Sequence, residues 1–372
     1  MKKLGLIVNP IAGMGGAVGL KGTDGAGLLD RAKELGAVPR AEQRATIALE
    51  TISRACKGAT VVTYAGAMGE NVSALSGLRP EIVGEARTDP STALDTREAT
   101  ERITGAGIDL LLFAGGDGTA RDVCDAVGTS CTCLGIPAGV KIQSEVFATS
   151  PAVAGQVAAS FLTGRLARTK KGEVLDINEH DYRREVLSSR LYGYLQVPDA
   201  SHLIQNRKAA SAPSESFAQR AIASEIVKQM TDDLCYVFGP GTTCSTLMET
   251  LGLEGTLLGV DVVRAGSVVG SDLSEREILE AAGESECRLI LTPVGGQGFL
   301  LGRGNQQISP KVLRRVGKEN IVIVATAEKL SSLRGRPLLV DTGDADTDEW
   351  LSGYYRVVTG YREVTVYRVA AT

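Results

Sequence analysis

The segment Asp109-Leu110-Leu111-Leu112-Phe113-Ala114-Gly115-Gly116-Asp117-Gly118-Thr119 reads as a buried strand that ends on a glycine turn. Asp109–Ala114 is a nearly continuous apolar run, the pattern of a strand covered on both faces in a parallel sheet. Gly115 and Gly116 let the chain turn tightly, and the residues up to about Val127 suit a helix. Strand, turn and helix in that order form the unit from which parallel sheets are wound. In such sheets ligands collect outside the carboxyl ends of the strands. Glycines there let backbone N–H groups approach phosphate oxygens, and the helix start adds a positive dipole end. Asp117 is out of place in a pure phosphate cradle, because a carboxylate repels phosphate. It fits if it takes a proton from an attacking hydroxyl or holds Mg²⁺. A bland alternative is an aspartate that merely supports the helix start.

Working outward, Leu4–Val8 is a short apolar strand that runs into Asn9-Pro10-Ile11-Ala12-Gly13-Met14-Gly15-Gly16. Asn9, Gly13, Gly15 and Gly16 make this a second candidate phosphate turn. The order GxGxxG and the P-loop pattern GxxxxGK[ST] are both missing, which argues against a dinucleotide dehydrogenase and a P-loop NTPase. Thr60–Tyr64 and Glu81–Glu85 suggest further strands. Thr92 to Thr104 suggests a helix, with Thr92 and Asp95 spaced as a capping box. Thr132–Pro137 is the next strand and leads into Gly135-Ile136-Pro137-Ala138-Gly139-Val140-Lys141, where Lys141 could neutralise a phosphate. Ser150-Pro151 then opens a helix with Ser as the cap. Asp122, about one turn into the helix after Thr119, is a candidate metal ligand.

A polar break at Arg168-Thr169-Lys170-Lys171-Gly172 places a boundary that divides the chain into 1–165 and 166–372. Beyond it Glu173–Asn178 and Leu191–Val197 read as strands, and 205–216 as a mobile loop. Alternation of strands and helices then resumes, with strands expected at Leu234–Phe238, Leu257–Val263, Arg288–Thr292, Ile321–Ala325 and Leu338–Val340. The tail Tyr354–Val369 alternates Val, Tyr and Thr, and is expected to close as a hairpin or as edge strands. The fold class is therefore α/β, an N-terminal doubly wound Rossmann-like domain followed by a second, largely α/β domain. The second half has glycine turns of its own. Gly241, Thr242 and Thr243 lie between a strand and a helix, and Gly296 follows another strand. Arg303, flanked by glycines, and Asn305 could contact an anionic ligand or a base. Lys21 and Asp24 form a similar polar pair near the N-terminus.

The composition excludes several classes. The net charge of −4 gives no footprint for nucleic acid, and 4% aromatic residues make no base-stacking platform. No apolar run approaches the ~20 residues needed to span a bilayer. The stretch after Met1 lacks a cleavable leader, and seven cysteines is an odd count that suits free thiols, so a cytoplasmic location is expected. Self-association is left open, with a homo-oligomer as one expectation.

The pairing of Asn9-Pro10 and Gly13 with Gly115-Gly116-Asp117-Gly118-Thr119 resembles the NAD kinase and diacylglycerol kinase superfamily. The strings Val8–Gly16, Gly19–Gly25, Gly239–Thr243, Leu257–Asp261, Gly295–Phe299 and Gly302–Gln307 resemble, more closely, the predicted ATP-NAD kinase family, which includes the acetoin catabolism protein X. The resemblance implies a kinase-like N-terminal domain in which Asp117 meets the acceptor hydroxyl as its base. It implies that Asn9, Gly13, Gly116, Gly118 and Thr119 bracket the phosphates of ATP. It also implies NAD and ATP as ligands, ATP or polyphosphate as donor and Mg²⁺ as cofactor, with NADP as product. The β-sandwich substrate motif of the better-known NAD kinases is missing here. Other acceptors stay open: a lipid, a polyol or a sugar phosphate. So does a non-catalytic nucleotide-binding regulatory role of the acetoin-linked type.

Overall fold

The computed structural model describes residues 3–20, 27–139, 142–177, 189–200, 204 and 215–372. The chain forms two compact units, one of residues 1–14 and 22–207, the other of residues 15–21 and 208–372. Of the expected site residues, Asp24 and Lys141 lie outside the described residues, as do Lys21 and most of the expected loop at 205–216.

The first unit is built on β1 (Leu4–Val8), β2 (Thr60–Thr63), β3 (Arg79–Ile82), β4 (Leu110–Gly115) and β5 (Cys133–Pro137), all parallel, in the order β3-β2-β1-β4-β5. Every residue of β1, β4 and β5 is buried, as continuous apolar runs require when both faces are covered. Its helices are α1 (Leu28–Glu34), α2 (Ala41–Ala55), α3 (Glu70–Leu75), α4 (Ala93–Gly105), α5 (Asp117–Val127) and α6 (Pro151–Leu162), and the cover is α2 packed with α6 and α4 packed with α5. Gly155 is glycine because a Cβ there would stand 2.4 Å from the Ala48 carbonyl oxygen, so α6 can lie tightly on α2. The Thr92–Asp95 capping box at the start of α4 and the Ser150 cap with Pro151 at the start of α6 both form as expected. The strand expected at Glu81–Glu85 forms two residues earlier, because Thr60–Thr63 pairs with Arg79–Ile82.

The boundary expected at 165/166 falls inside the first compact unit, which runs to 207. After residue 166, β6 (Thr169–Ile177) and β7 (Ser189–Pro198) pair antiparallel and pack on α5 and β5, so the polar stretch at 168–172 begins a strand of the first unit. Contact is close: a Cβ on Gly193 would lie 2.8 Å from the Cys124 sulfur, and the Tyr192 hydroxyl donates to Asp125 at 2.6 Å.

The second unit is α/β as expected. Its nine-stranded sheet runs β10-β9-β8-β11-β13-β15-β16-β14-β12. These strands are β8 (Cys235–Phe238), β9 (Asp261–Arg264), β10 (Ser267–Gly270), β11 (Cys287–Leu291), β12 (Phe299–Leu301), β13 (Ile321–Val324), β14 (Leu338–Val340), β15 (Gly353–Gly360) and β16 (Glu363–Ala371). β8, β11, β13 and β15 are parallel neighbours, while β9 and β16 run antiparallel to β8 and β15. Two separate apolar clusters form its core. In one, the helices Glu215–Gln229 and Thr242–Thr250 pack against the sheet through Ile222, Ala223, Ile226 and Leu247. In the other, the helices Glu275–Ala282 and Pro310–Val316 do so through Ile278, Val312 and Leu313. Two expectations are corrected. Leu257–Val260 is not strand but a loop, closed by the Asp261 carboxylate, which accepts from the Thr256 N–H at 2.6 Å, the Thr256 hydroxyl at 2.8 Å and the Asp272 N–H at 3.0 Å. The tail does form a hairpin, but inside the sheet rather than at its edge, since Val357 and Val358 pair with β13 and Val369–Ala371 with β14.

Candidate functional site

In the first unit, chain order reverses between β1 and β4, so the loops leaving their carboxyl ends diverge and open a crevice. Three of the expected glycine turns meet there. The Asn9 N–H donates to the Ala114 carbonyl at 3.0 Å, and the Asn9 side-chain amide donates to the Thr119 hydroxyl at 3.0 Å. Gly13 has φ 84°, and a Cβ on it would stand 2.4 Å from the Ala138 carbonyl oxygen. The Ala138 and Gly139 N–H groups both donate to the Gly115 carbonyl at 2.9 Å, and a Cβ on Gly139 would come within 2.6 Å of the Gly116 Cα. Gly115 is glycine because the Thr119 side chain occupies the space beside it, 2.3 Å from where a Cβ would be. Thus Asn9, Gly13, Gly115, Gly116 and Thr119 come together. Asn9 and Thr119 bind each other, so they act first as stitches between loops.

Asp117 stands at the first position of α5, after Gly116, which caps the helix with extended backbone. Its carboxylate is buried and receives the Gln143 N–H on Oδ2 at 2.8 Å and the Ser144 N–H on Oδ1 at 3.1 Å. The Ser144 hydroxyl in turn accepts from the Leu175 N–H at 2.9 Å, which ties this loop to β6. Burial drives the Asp117 carboxyl above the ordinary aspartate range, against the hydrogen bonds from Ser144 and Gln143. The Ser144 side chain adds a third hydrogen bond, so an ionised carboxylate, with about four acceptor sites, keeps one free. An oriented carboxylate of raised basicity at the carboxyl end of a central strand can accept a proton from a hydroxyl. These partners were not legible in advance, because Gln143 holds the carboxylate through its backbone alone and Ser144 through both its backbone and its side chain.

The expected metal role of Asp122 is not supported. Its Oδ1 accepts from the Arg97 Nε at 3.2 Å, a pairing between α4 and α5. Among the described residues no three His, Cys, Asp or Glu side chains stand close enough to hold a metal ion. Gly15 and Gly16 belong to the second unit, where the Ala17 carbonyl accepts from the Glu275 N–H at 3.1 Å and Gly16 lies against Gln306. A cleft of about 580 Å³ on the β3 side of the first unit is lined by Gly84, Arg87, Glu98 and Arg102 among others, and Asp117 is not part of it.

Residues 4–166 match the model of the ATP-NAD kinase N-terminal domain, and residues 231–369 match that of the ATP-NAD kinase C-terminal domain. The chain belongs to the ATP-NAD kinase family. The mitochondrial chaperonin CPN60-like 2 of Arabidopsis thaliana is 28% identical over 134 residues, which is 32% of this chain and 23% of that protein. The matched stretch is thus about a quarter of that relative's length. No solved structure gives a significant match.

In this ATP-NAD kinase family member, two further expected contacts turn out to serve the fold of the second unit. Arg303 is buried, makes a 2.9 Å ion pair with Asp341 and stacks 4.1 Å over the Phe299 ring. Its charge is therefore neutralised internally. Asn305 accepts from the Gly302 N–H at 2.9 Å and donates to the Leu300 carbonyl at 2.9 Å, closing the same turn. Gly296 adopts φ 76° in the loop after β11. Gly241, Thr242 and Thr243 do form a strand-to-helix turn. Gly241 has φ 122°, and a Cβ there would lie 2.7 Å from the Thr292 methyl. Around that turn stand Lys329, Thr292, Glu215 and Gln219, all missed in the sequence. A lysine one turn into a short helix reads as solvated, and only the stacking of β8, β11 and β13 buries it.

Proposed function

We propose that this chain transfers the terminal phosphoryl group of ATP or polyphosphate onto the adenosine ribose 2′-hydroxyl of NAD, giving NADP. The observation that carries the reading is the Asp117 carboxylate, fixed at the first turn of α5 beside Gly13, Gly116 and Gly139. Asp117 takes the proton of the acceptor hydroxyl as the oxygen attacks phosphorus. The unpaired N–H groups of the first turn of α5, near Gly118 and Thr119, face developing phosphate charge. Mg²⁺ enters with ATP as part of the substrate, bound chiefly by phosphate oxygens and water, which is its usual manner in phosphoryl transfer. Family membership supports NAD and ATP as the ligands.

A second acceptor stays in view on one observation. The second unit carries helices against both of its cores, not the all-β sandwich that the better-known NAD kinases would imply. A different small hydroxyl compound is then the alternative acceptor. The experiment is to incubate purified protein with NAD, Mg²⁺ and either ATP or polyphosphate, then read NADP with an NADP-specific dehydrogenase. NADP formed with one donor and abolished by Asp117→Asn is the expected result. ATP binding without NADP from either donor would move the assignment to the other acceptor.

A further inference from the structure

In the second unit, the loops that leave β8, β11 and β13 bring Thr243, Thr292 and Thr326 together around one lysine. The Lys329 ammonium lies 3.3 Å from the Thr243 hydroxyl, 3.3 Å from the Thr292 hydroxyl and 4.0 Å from the Glu215 carboxylate. Its side chain is only 12% exposed, so water does little to solvate the charge. Charge-assisted N–H···O contacts normally close to about 2.7–2.9 Å. None of these does, and two of the three partners are neutral. The ammonium is thus nearly buried without an anion at contact distance. Burial lowers the Lys329 pKa, while Glu215 raises it. Glu215 is itself held by the Thr326 hydroxyl at 3.2 Å, and the nearby Cys244 thiol is pushed up to about 12 by burial and so stays neutral.

A helix start beside the lysine adds donors that suit an anion. The helix Thr242–Thr250 starts at Gly241 with no side-chain cap, so its first N–H groups remain to be satisfied. Thr242 is fixed by the Gln219 amide at 3.0 Å. Gly241 brings the turn against Thr292, closer than any side chain would permit.

We propose that Lys329, Thr243, Thr292 and the first turn of the helix Thr242–Thr250 form a second phosphate-binding site, contained within the second unit, for the phosphoryl group of a phosphate ester. The ammonium takes one phosphoryl oxygen, the threonine hydroxyls orient it, and Glu215 keeps the lysine charged when no ligand is bound. This inference stands apart from the assignment of NAD as acceptor, since it concerns residues of the second unit alone.

The test is calorimetric titration of the full chain with inorganic phosphate, then with ribose 5-phosphate and with AMP. Lys329→Met should weaken phosphate binding about tenfold or more, the range for a lost hydrogen bond to a charged group. Thr292→Val, which keeps shape and charge, should weaken it less, and it stands in for Lys329→Met should that variant fail to fold. The Gly139→Ala variant, altered in the first unit, should retain the binding that depends on Lys329. Tighter binding of AMP than of ribose 5-phosphate would name a nucleotide as the source, and the reverse a sugar phosphate. Failure of the wild-type protein to bind any of the three would overturn the proposal. Unchanged phosphate binding in Lys329→Met or in Thr292→Val would also overturn it and leave Lys329 and Glu215 as an internal ion pair. Lys329-dependent binding without NADP formation would uphold it while removing the NAD kinase reading.

Discussion

Asp117→Asn tests the site most directly, because the structure makes the substitution act on stability and turnover together. Both carboxylate oxygens accept a backbone N–H, from Gln143 at 2.8 Å and Ser144 at 3.1 Å. Asparagine has one oxygen and one NH₂, so one N–H must face another donor in a buried site. A buried donor left without an acceptor costs about 1–3 kcal/mol, which for a domain of this size lowers Tm by roughly 2–12 °C. Removing a buried charge offsets part of this, so the lower half of that range is expected. Loss of the base should lower turnover by about 10²–10⁴, measured well below the variant's Tm. The pH dependence has a definite sign. The native carboxyl has a raised pKa, so wild-type stability is fully present below the unfolded pKa and declines as pH rises through the folded one. The Tm gap between wild type and Asp117→Asn should therefore be widest in acid and narrow toward neutrality. The assays are thermal unfolding from pH 3 to 7 and the coupled NADP assay. A variant with wild-type Tm and near-wild-type turnover would refute the whole argument. A lowered Tm with intact turnover would reduce Asp117 to a tether for the 143–144 loop.

Three further outcomes are expected. Gly139→Ala places a Cβ 2.6 Å from the Gly116 Cα, so it should force the two turns apart, cost about 1–3 kcal/mol in urea unfolding and weaken ATP binding. Arg303→Met removes the guanidinium that pairs with the buried Asp341 carboxylate and should cost about 3–5 kcal/mol, whereas Arg303→Met combined with Asp341→Leu should recover most of that loss. Recovery of stability without recovery of ATP binding in the double variant would restore a ligand role to Arg303. Asp95 sits in the cap of α4, where burial raises its pKa but hydrogen bonds from Arg87, Thr92 and Thr88 outweigh it, leaving the carboxyl at about 2 against an ordinary 3.8. Its contribution is present above the unfolded pKa and lost as pH falls toward 2. Asp95→Asn should therefore cost about 1–2 kcal/mol at neutral pH, with the deficit fading in acid unfolding curves below about pH 4.

The chain by itself determined the strands that are buried on both faces and the turns that end them. A continuous apolar run such as Leu110–Gly115 has few other uses, and Gly115-Gly116 can only punctuate it. Local chemistry also fixed the caps at Thr92 and Ser150, because a cap and its helix are neighbours in sequence. What the tertiary structure alone decided is which polar groups meet. The polar stretch at 168–172 looked like a linker and became an edge strand, since its hydrogen bonds go to residues about 25 positions away. Arg303, between glycines, suggested contact with an anionic ligand and is buried against Asp341, 38 residues on. Asp117 was legible as a carboxylate in a glycine turn, but the backbone donors that hold it carry no side-chain signature. Lys329 gave no signal at all, because the burial of a charge depends on three strands stacking and on hydroxyls drawn from Thr243 and Thr292, residues far apart in the chain.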